Sequence, residues 1–221
     1  TPTGQVFAPP ANDNISDFIL ASFPVPSVNV TMHTPVAFEG DLKTTTSWLA
    51  LLQMVTGLKN DEKAAPSTVY LGYVSGHQAW WGYSGIAGYA WVGGTRVATT
   101  LDLWYSEADT QRIAAHEVGH TFGRRHAPCG TTGDANYPYP NGQIGVYGVN
   151  VNESRVYTPN NPDIMGYCGN AWFSDYSYMG LMQSQLNYTQ PAGNSEGQDQ
   201  SSLMVRASFD EAGNAALLPT Y

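Results

Sequence analysis

The chain has 221 residues, enough for one domain with a substantial core, and its formal net charge of -9 disfavours nucleic acid or an anionic membrane surface as a partner, because both require a basic footprint. No stretch approaches the roughly 20 apolar residues of a membrane-spanning helix. No basic-then-apolar segment opens the chain, so we expect Thr1 to follow a processing or trimming site. Charged residues make up 12% of the chain, against roughly 25% in average domains, which favours a secreted, extracellular protein.

The N-terminal residues are predicted to form an arm and a strand. Residues 1–14 are rich in Pro, Asn and Asp and predict an irregular arm. Residues 25–38 predict the first strand, because apolar and polar residues alternate between Val28 and Met32. His33 lies on that strand without a partner at ligand spacing, so we interpret it as a surface or hydrogen-bonded histidine.

A helix and a second strand are predicted next. The hydroxyl residues at 44–47 can cap a helix, and apolar residues recur at helical spacing from Trp48 to Leu58 before Asn60 ends the pattern. Residues 67–75 predict a buried strand. Strand, helix and strand in this order imply a parallel crossover, and therefore a sheet backed by helices.

Residues 76–100 combine glycines with aromatic residues and predict two short strands joined by loops. Trp80 and Trp81 are expected to pack in the core or at its rim, with stacking on sugar rings as the alternative. His77 lies beside them, again lacks a ligand partner, and is left out of the predicted site.

A further helix is predicted to begin at Ser106. The segment from Ser106 to Asp109 resembles a capping box, and its acidic residues suit the positive end of the helix dipole. Ile113, Val118 and Phe122 are expected to pack inward. This rigid helix carries the residues on which the functional prediction depends.

The pattern HExxHxxGxxH begins at His116. Residues four apart lie on one face of a helix, so His116 and His120 can present two imidazole nitrogens to one point, with Glu117 beside it. Gly123 can adopt positive φ, end the helix and turn the chain so that His126 supplies a third nitrogen. Three histidines leave the fourth tetrahedral position to water, which is the arrangement of a catalytic zinc site.

A second motif lies downstream, where residues 163–168 are Asp-Ile-Met-Gly-Tyr-Cys. Together with HExxHxxGxxH, this segment resembles the metzincin clan of zinc endopeptidases, in which a tight turn, the Met-turn, carries a methionine beneath the metal. Met165 matches the turn methionine, and Tyr167 matches the swinging fifth ligand of astacin-like and serralysin-like branches. The resemblance covers roughly residues 23–188. Within it, residues 126–130 and 172–176 look like segments of large secreted microbial metzincins.

The resemblance implies an α/β (α+β) fold in two subdomains. The upper subdomain, about residues 1–123, would hold a twisted, mostly parallel sheet backed by helices, together with the zinc helix. The lower subdomain, about residues 124–190, would be small and rich in loops, with the Met-turn and a C-terminal helix. The second of the two short strands within residues 76–100 would be the edge strand to which metzincins bind substrate.

The resemblance also implies a reaction, the hydrolysis of peptide bonds. One zinc ion on His116, His120 and His126 would activate water, and Glu117 would take a proton from it and return that proton to the leaving amine. Tyr167 would donate a hydrogen bond to the oxyanion, with a buried tyrosine that only supports the turn as the alternative.

The remaining expectations concern the surroundings of the metal. Met165 would be an apolar floor under the imidazoles and not a ligand, and residues 166–173 would form one wall of a substrate pocket. A protein or peptide substrate, with or without glycans, and a monomeric enzyme are expected. Whether calcium binds the loops is left open, because no residue pattern indicates a calcium site.

The two cysteines flank the predicted site. Cys129 follows the third histidine by three residues and Cys168 follows Met165 by three, which predicts a disulfide between the zinc loop and the Met-turn. A bridge that closes a loop of about 40 residues stabilises a chain by roughly 3 to 4 kcal/mol. The alternative, that both are additional zinc ligands, is disfavoured because three histidines already complete a catalytic set.

The C-terminal part is predicted to hold a helix and a separate extension. Ser174 would cap a helix that packs against the back of the zinc helix through Tyr178, Leu181, Met182 and Leu186. Residues 190–200 have the composition of a linker, and residues 202–209 and 215–218 predict a hairpin. We therefore divide the chain into a catalytic domain, 1–190, and an extension, 191–221.

Two rival functions share parts of this pattern. A catalytically silent adhesion module would keep zinc and bind a protein or glycan without cleaving it. A carbohydrate-binding protein built on Trp80, Trp81 and Trp91 would bind its ligand without a metal. Chelation, tested on both binding and cleavage, separates these two from a protease.

Overall fold

The computed structural model describes residues 13–75, 85–103, 105–169, 171–189, 206–209 and 215–218. The chain forms two compact units, Thr1–Tyr188 and Thr189–Tyr221. The described residues contain four α-helices and three small sheets, so the fold is mixed and belongs to the α+β class. In that part of the chain, none of the helices combines the length and the apolar character that a membrane crossing requires.

The chain enters the described region through a short helical segment that the sequence did not predict. A 3₁₀ turn, Asp13–Ser16, leads into helix α1, Asp17–Ser22. No side chain caps α1, so its local signal is weak, and burial of Phe18 stabilises it instead. The predicted arm at residues 1–12 lies outside the described residues.

The predicted first strand, residues 25–38, is wrong. The segment is not assigned to any strand, and Val30 and Met32 are 44% and 56% exposed. Alternation of apolar and polar residues makes a strand possible, but a strand exists only where a neighbour completes its hydrogen bonds. The predicted strand-helix-strand crossover is therefore wrong as well. His33 contacts Glu62 at 2.7 Å on the surface, which confirms its interpretation as a hydrogen-bonded surface residue.

Helix α2, Thr45–Asp61, confirms the next prediction. The Thr44 side chain caps it by accepting a hydrogen bond from the Ser47 N–H. One face of the helix is buried against strand β3 and includes Trp48, Leu51, Leu52 and Val55.

The main sheet has three strands, which are β1 (Tyr70–Ser75), β2 (Gly88–Ala90) and β3 (Val97–Asp102). Their order is β1-β3-β2, with β1 parallel to β3 and β2 antiparallel to it. The sheet is therefore mixed and not mostly parallel. The edge strand next to the site is β2, and the part of the predicted two-strand segment at residues 76–84 lies outside the described residues. Burial explains this order, because the side chains from Val97 to Leu101 are buried on both faces and require a central position.

Helix α3, Glu107–Thr121, lies between the two hydrophobic clusters of the first unit. Ser106 caps it by accepting a hydrogen bond from the Asp109 N–H, as predicted. Val118 belongs to the cluster that holds the Met-turn, whereas Ile113 packs against the cluster of α2 and β3. The position of this helix is therefore set from both sides.

The region after α3 is rich in loops but contains a small hairpin that the sequence did not predict, with strands β4 (Gly148–Asn150) and β5 (Arg155–Tyr157). Helix α4, Asp175–Thr189, follows and is capped by Ser174, which accepts a hydrogen bond from the Ser177 N–H. Leu181 is buried in the cluster of Val118, as expected. Tyr178 and Leu186 are 39% and 48% exposed, so the prediction that they pack inward is wrong.

The second unit contains the predicted hairpin. Strands β6 (Arg206–Phe209) and β7 (Ala215–Leu218) pair antiparallel, with Arg206 opposite Leu218 and Phe209 opposite Ala215. The predicted linker at 190–200 lies outside the described residues, as do His77, Trp80 and Trp81.

Candidate metal centre

Three histidines meet at the C-terminal end of helix α3. His116 and His120 are one helical turn apart, and their Nε2 atoms lie 3.1 Å from each other. Gly123, with a φ of 82°, ends the helix and turns the chain, so that His126 Nε2 lies 3.0 Å from His120 Nε2. All three ligand atoms fall within 4.8 Å of one another. In the described part of the chain, no carboxylate or thiolate joins this group.

Backbone carbonyl groups set the tautomers of the two helical histidines. His116 Nδ1 lies 2.7 Å from the carbonyl oxygen of Ile164, and His120 Nδ1 lies 2.6 Å from that of Arg124. A carbonyl oxygen only accepts hydrogen bonds, so each Nδ1 must carry the proton and donate it. The Nε2 atom of each neutral ring then carries a lone pair, which points at the other histidines.

The histidines are suited to a metal ion. Burial lowers the pKa of His116 to about 3 and that of His120 to about 4, and it also lowers the pKa of His126, so the rings are neutral at pH 7. Neutral lone pairs at 3.0 to 3.1 Å repel one another unless a cation lies between them. Nitrogens bound at 2.0–2.1 Å to a tetrahedral zinc ion are about 3.3 Å apart, close to these distances. The three residues can therefore hold a metal ion.

Glu117 lies beside the histidines but outside the group of ligand atoms. Its side chain is buried, and this burial raises the pKa of its carboxyl group to about 8. The side chain faces strand β2 at Gly88. A carboxyl group placed beside a metal site can accept and release a proton.

Tyr167 places its hydroxyl group next to the third histidine. The oxygen lies 3.2 Å from His126 Nε2, and the side chain is 59% exposed. The alternative of a buried tyrosine that only supports the turn does not fit this exposure. Partial burial raises the pKa of the hydroxyl, and Glu117 and Tyr89 raise it further, so the group stays protonated and able to donate.

Met165 lies beneath the helix that carries two of the histidines. The residue is fully buried, and a Cβ atom added at Gly119 would come within 2.8 Å of its sulfur atom. Its carbonyl oxygen accepts a hydrogen bond from the Ala127 N–H, next to His126. Met165 therefore packs against α3 at Gly119, the residue before His120.

Asp163 anchors the Met-turn, a role that the sequence reasoning missed. Its fully buried carboxylate accepts hydrogen bonds of 2.7 to 2.9 Å from the Met165 N–H, the Ser174 N–H and the hydroxyl groups of Ser177 and Tyr137. Asp163 thus joins the Met-turn, the start of α4 and the loop that contains Tyr137. A signal was present, because Asp commonly accepts a hydrogen bond from the N–H two residues later.

A disulfide joins Cys129 to Cys168, with their Cα atoms 5.6 Å apart. The bond removes both sulfur atoms from the set of metal ligands. The Tyr167 N–H also donates to the Cys129 carbonyl oxygen. This hydrogen bond and the disulfide together hold the loop after His126 against the Met-turn. Among the described residues of the predicted pocket wall, residues 167–169 are exposed, whereas Trp172 and Phe173 pack into the core.

We expect each of the variants His116→Ala, His120→Ala and His126→Ala to lose bound metal. Each removes one of three converging lone pairs, and two imidazoles do not retain zinc against a chelator. His33→Ala is the matched control, because it removes an exposed histidine outside the group. Metal content per chain after dialysis checks the assignment, and stoichiometric zinc in all three variants would contradict it.

We expect Asp163→Asn to weaken metal binding without touching a ligand. The amide places a donor against groups that already donate, which loosens the turn that orients His116 through the Ile164 carbonyl. Changes of this kind lower metal affinity by about 10- to 100-fold. Competition with a chromophoric chelator measures the affinity, and Asp61→Asn makes the same change at an exposed site. Equal affinities for the two variants would refute the role of Asp163.

The function of this chain is not given by similarity to other proteins. No family model, curated protein or solved structure matches it. Its assignment therefore depends on the histidine geometry, on the carboxyl group beside it and on the spacing of the motifs.

Proposed function

We propose that the protein is a secreted zinc endopeptidase of the metzincin type, acting on proteins or peptides. Three imidazole lone pairs converge beside the buried carboxyl group of Glu117, which lies on the same helix as His116 and His120, and this observation carries the proposal. Neutral imidazoles suit zinc, whereas magnesium and calcium prefer oxygen ligands. The disulfide and the low charged fraction support an extracellular location.

In this proposal, His116, His120 and His126 hold the zinc ion through Nε2. When bound, zinc supplies a Lewis acid that lowers the pKa of water towards 7 and polarises a peptide carbonyl. The Ile164 and Arg124 carbonyl oxygens keep two of the rings in the correct tautomer and orientation. The disulfide and Asp163 hold the loops on which His126 and Tyr167 lie.

Glu117 is the proton carrier of the proposed reaction. Its carboxylate accepts a proton from the attacking water and later donates it to the nitrogen of the leaving amine. Burial raises the pKa of this carboxyl group, and a zinc cation on the neighbouring histidines would favour the carboxylate form that accepts the first proton. Tyr167 would donate a hydrogen bond from its hydroxyl group to the oxyanion that forms at the carbonyl oxygen.

Among the described strands β2 pairs only with β3, so its other edge is available to an extended substrate. The Ala87 carbonyl accepts from the Leu101 N–H and the Trp91 N–H donates to the Val97 carbonyl, so these residues direct their backbone groups towards β3. Backbone groups alternate in direction along a strand, so those of Gly88 and Ala90 face outward. A peptide that adds to this edge lies next to Glu117, which gives the proposal a route for substrate binding.

The rival functions receive less support. Trp91 is half-buried, donates from its indole N–H to the Thr56 hydroxyl and packs against the cluster of α2, so its ring is engaged within the core and not offered to sugars. The catalytically silent module would use the same metal site. Only the contribution of Glu117 to turnover separates that module from an enzyme.

We expect Glu117→Gln to lower turnover strongly while it preserves the fold and the metal. The amide is nearly isosteric but cannot carry the proton, so kcat should fall by about 100-fold or more. Cleavage of an unfolded protein substrate measures the loss, with zinc content and melting temperature as controls. Undiminished turnover in this variant would refute the mechanism, and a wild-type protein that binds zinc but cleaves nothing would favour the silent module.

We expect Tyr167→Phe to reduce kcat by less than Glu117→Gln does. The change removes one hydroxyl group from the site and leaves the ring in place beside His126. If the hydroxyl acts on the oxyanion, the loss falls in kcat, by about 10- to 100-fold, and KM changes little. A variant with normal kcat and a raised KM would assign the tyrosine to substrate binding instead.

A further inference from the structure

Strand β2 and helix α3 approach each other most closely at Gly88. A Cβ atom added there would lie 2.5 Å from Glu117 Cγ, 2.7 Å from Oε1 and 2.8 Å from Cδ. Distances below 3.0 Å do not occur for real Cβ atoms, so any larger residue at this position requires the glutamate to move. Gly88 is not among the residues with positive φ, so space and not backbone conformation requires the glycine.

The same residue faces the proposed substrate with its backbone. Gly88 pairs with Thr100 in the register of β2 and β3, and its own N–H and C=O face the outer edge of the sheet. One residue therefore contacts Glu117 with its Cα and offers a substrate strand its backbone hydrogen bonds.

We propose that Gly88 is a positioning residue, which sets the distance between the Glu117 carboxyl group and a peptide bound along β2. The inference rests on the proposed function, because it assigns Gly88 a place in the same reaction. The Glu117 side chain is 7% exposed and packs directly under the strand, so the position of β2 limits where the carboxyl group can lie. A methyl group at residue 88 would displace the carboxyl group, because the three atoms nearest to it would all belong to Glu117.

The test is Gly88→Ala in the full chain. The colliding atoms belong to a side chain and not to the backbone, so we expect the variant to fold and to retain stoichiometric zinc. A displaced base should lower kcat by about 10- to 100-fold, because small errors in position at a reacting group have effects of that size. In a Glu117→Gln background the same substitution should cause no further loss, since the base is already absent.

A second measurement does not depend on cleavage. Gly88→Ala should lower the melting temperature of the wild-type protein, because it overpacks a buried contact. It should lower it less in a Glu117→Ala background, where all three colliding atoms are gone. If the wild-type protein cleaves no peptide, the proposed function fails, and this stability cycle still decides whether Gly88 positions the glutamate.

Gly57→Ala is the matched control, because a Cβ atom at that glycine would meet nothing within 4 Å. It should leave kcat and zinc content unchanged. The inference is overturned if Gly88→Ala keeps wild-type kcat and melting temperature, if it lowers kcat further in the Glu117→Gln background, or if it lowers the melting temperature equally with and without the Glu117 side chain.

Discussion

The hydrogen bond from the His116 Nδ1–H to the Ile164 carbonyl oxygen joins the two halves of the site. It connects helix α3 to the Met-turn, and it also determines which nitrogen of His116 carries a lone pair. Ile164 has this position because Asp163 holds the turn and Met165 fills the space under Gly119. The geometry of the histidines therefore depends on residues that never approach a metal.

Burial has opposite effects on the two kinds of titratable group in the site, and both effects suit the proposed chemistry. It lowers the pKa of the imidazoles and keeps them neutral, and it raises the pKa of the Glu117 carboxyl group to about 8. Neutral imidazoles and a carboxyl group with a raised pKa thus arise from one apolar environment. That environment comes from α3, which packs between two hydrophobic clusters.

The loop after α3 has little regular structure, so covalent and hydrogen-bonded links hold it in place. The disulfide and the Tyr167 N–H connect it to the Met-turn, and the Asp134 N–H donates to the His126 carbonyl oxygen. These links keep the third histidine and the tyrosine close to a helix whose own position is already set. Strand β2 closes the other side, where Gly88 lets the backbone approach Glu117.

The sequence by itself determined the features that depend on local geometry. Helices α2 and α3, their caps and the face shared by His116 and His120 follow from a period of 3.6 residues, and the cysteine positions indicated which loops are joined. Only the tertiary structure decided that residues 25–38 form no strand and that β2 lies at the edge of the sheet beside Glu117. It also decided that Asp163 holds the Met-turn through hydrogen bonds and that Gly88 contacts Glu117. Strand pairing and close approach depend on residues distant in the chain, and no local period records which backbone will lie beside another.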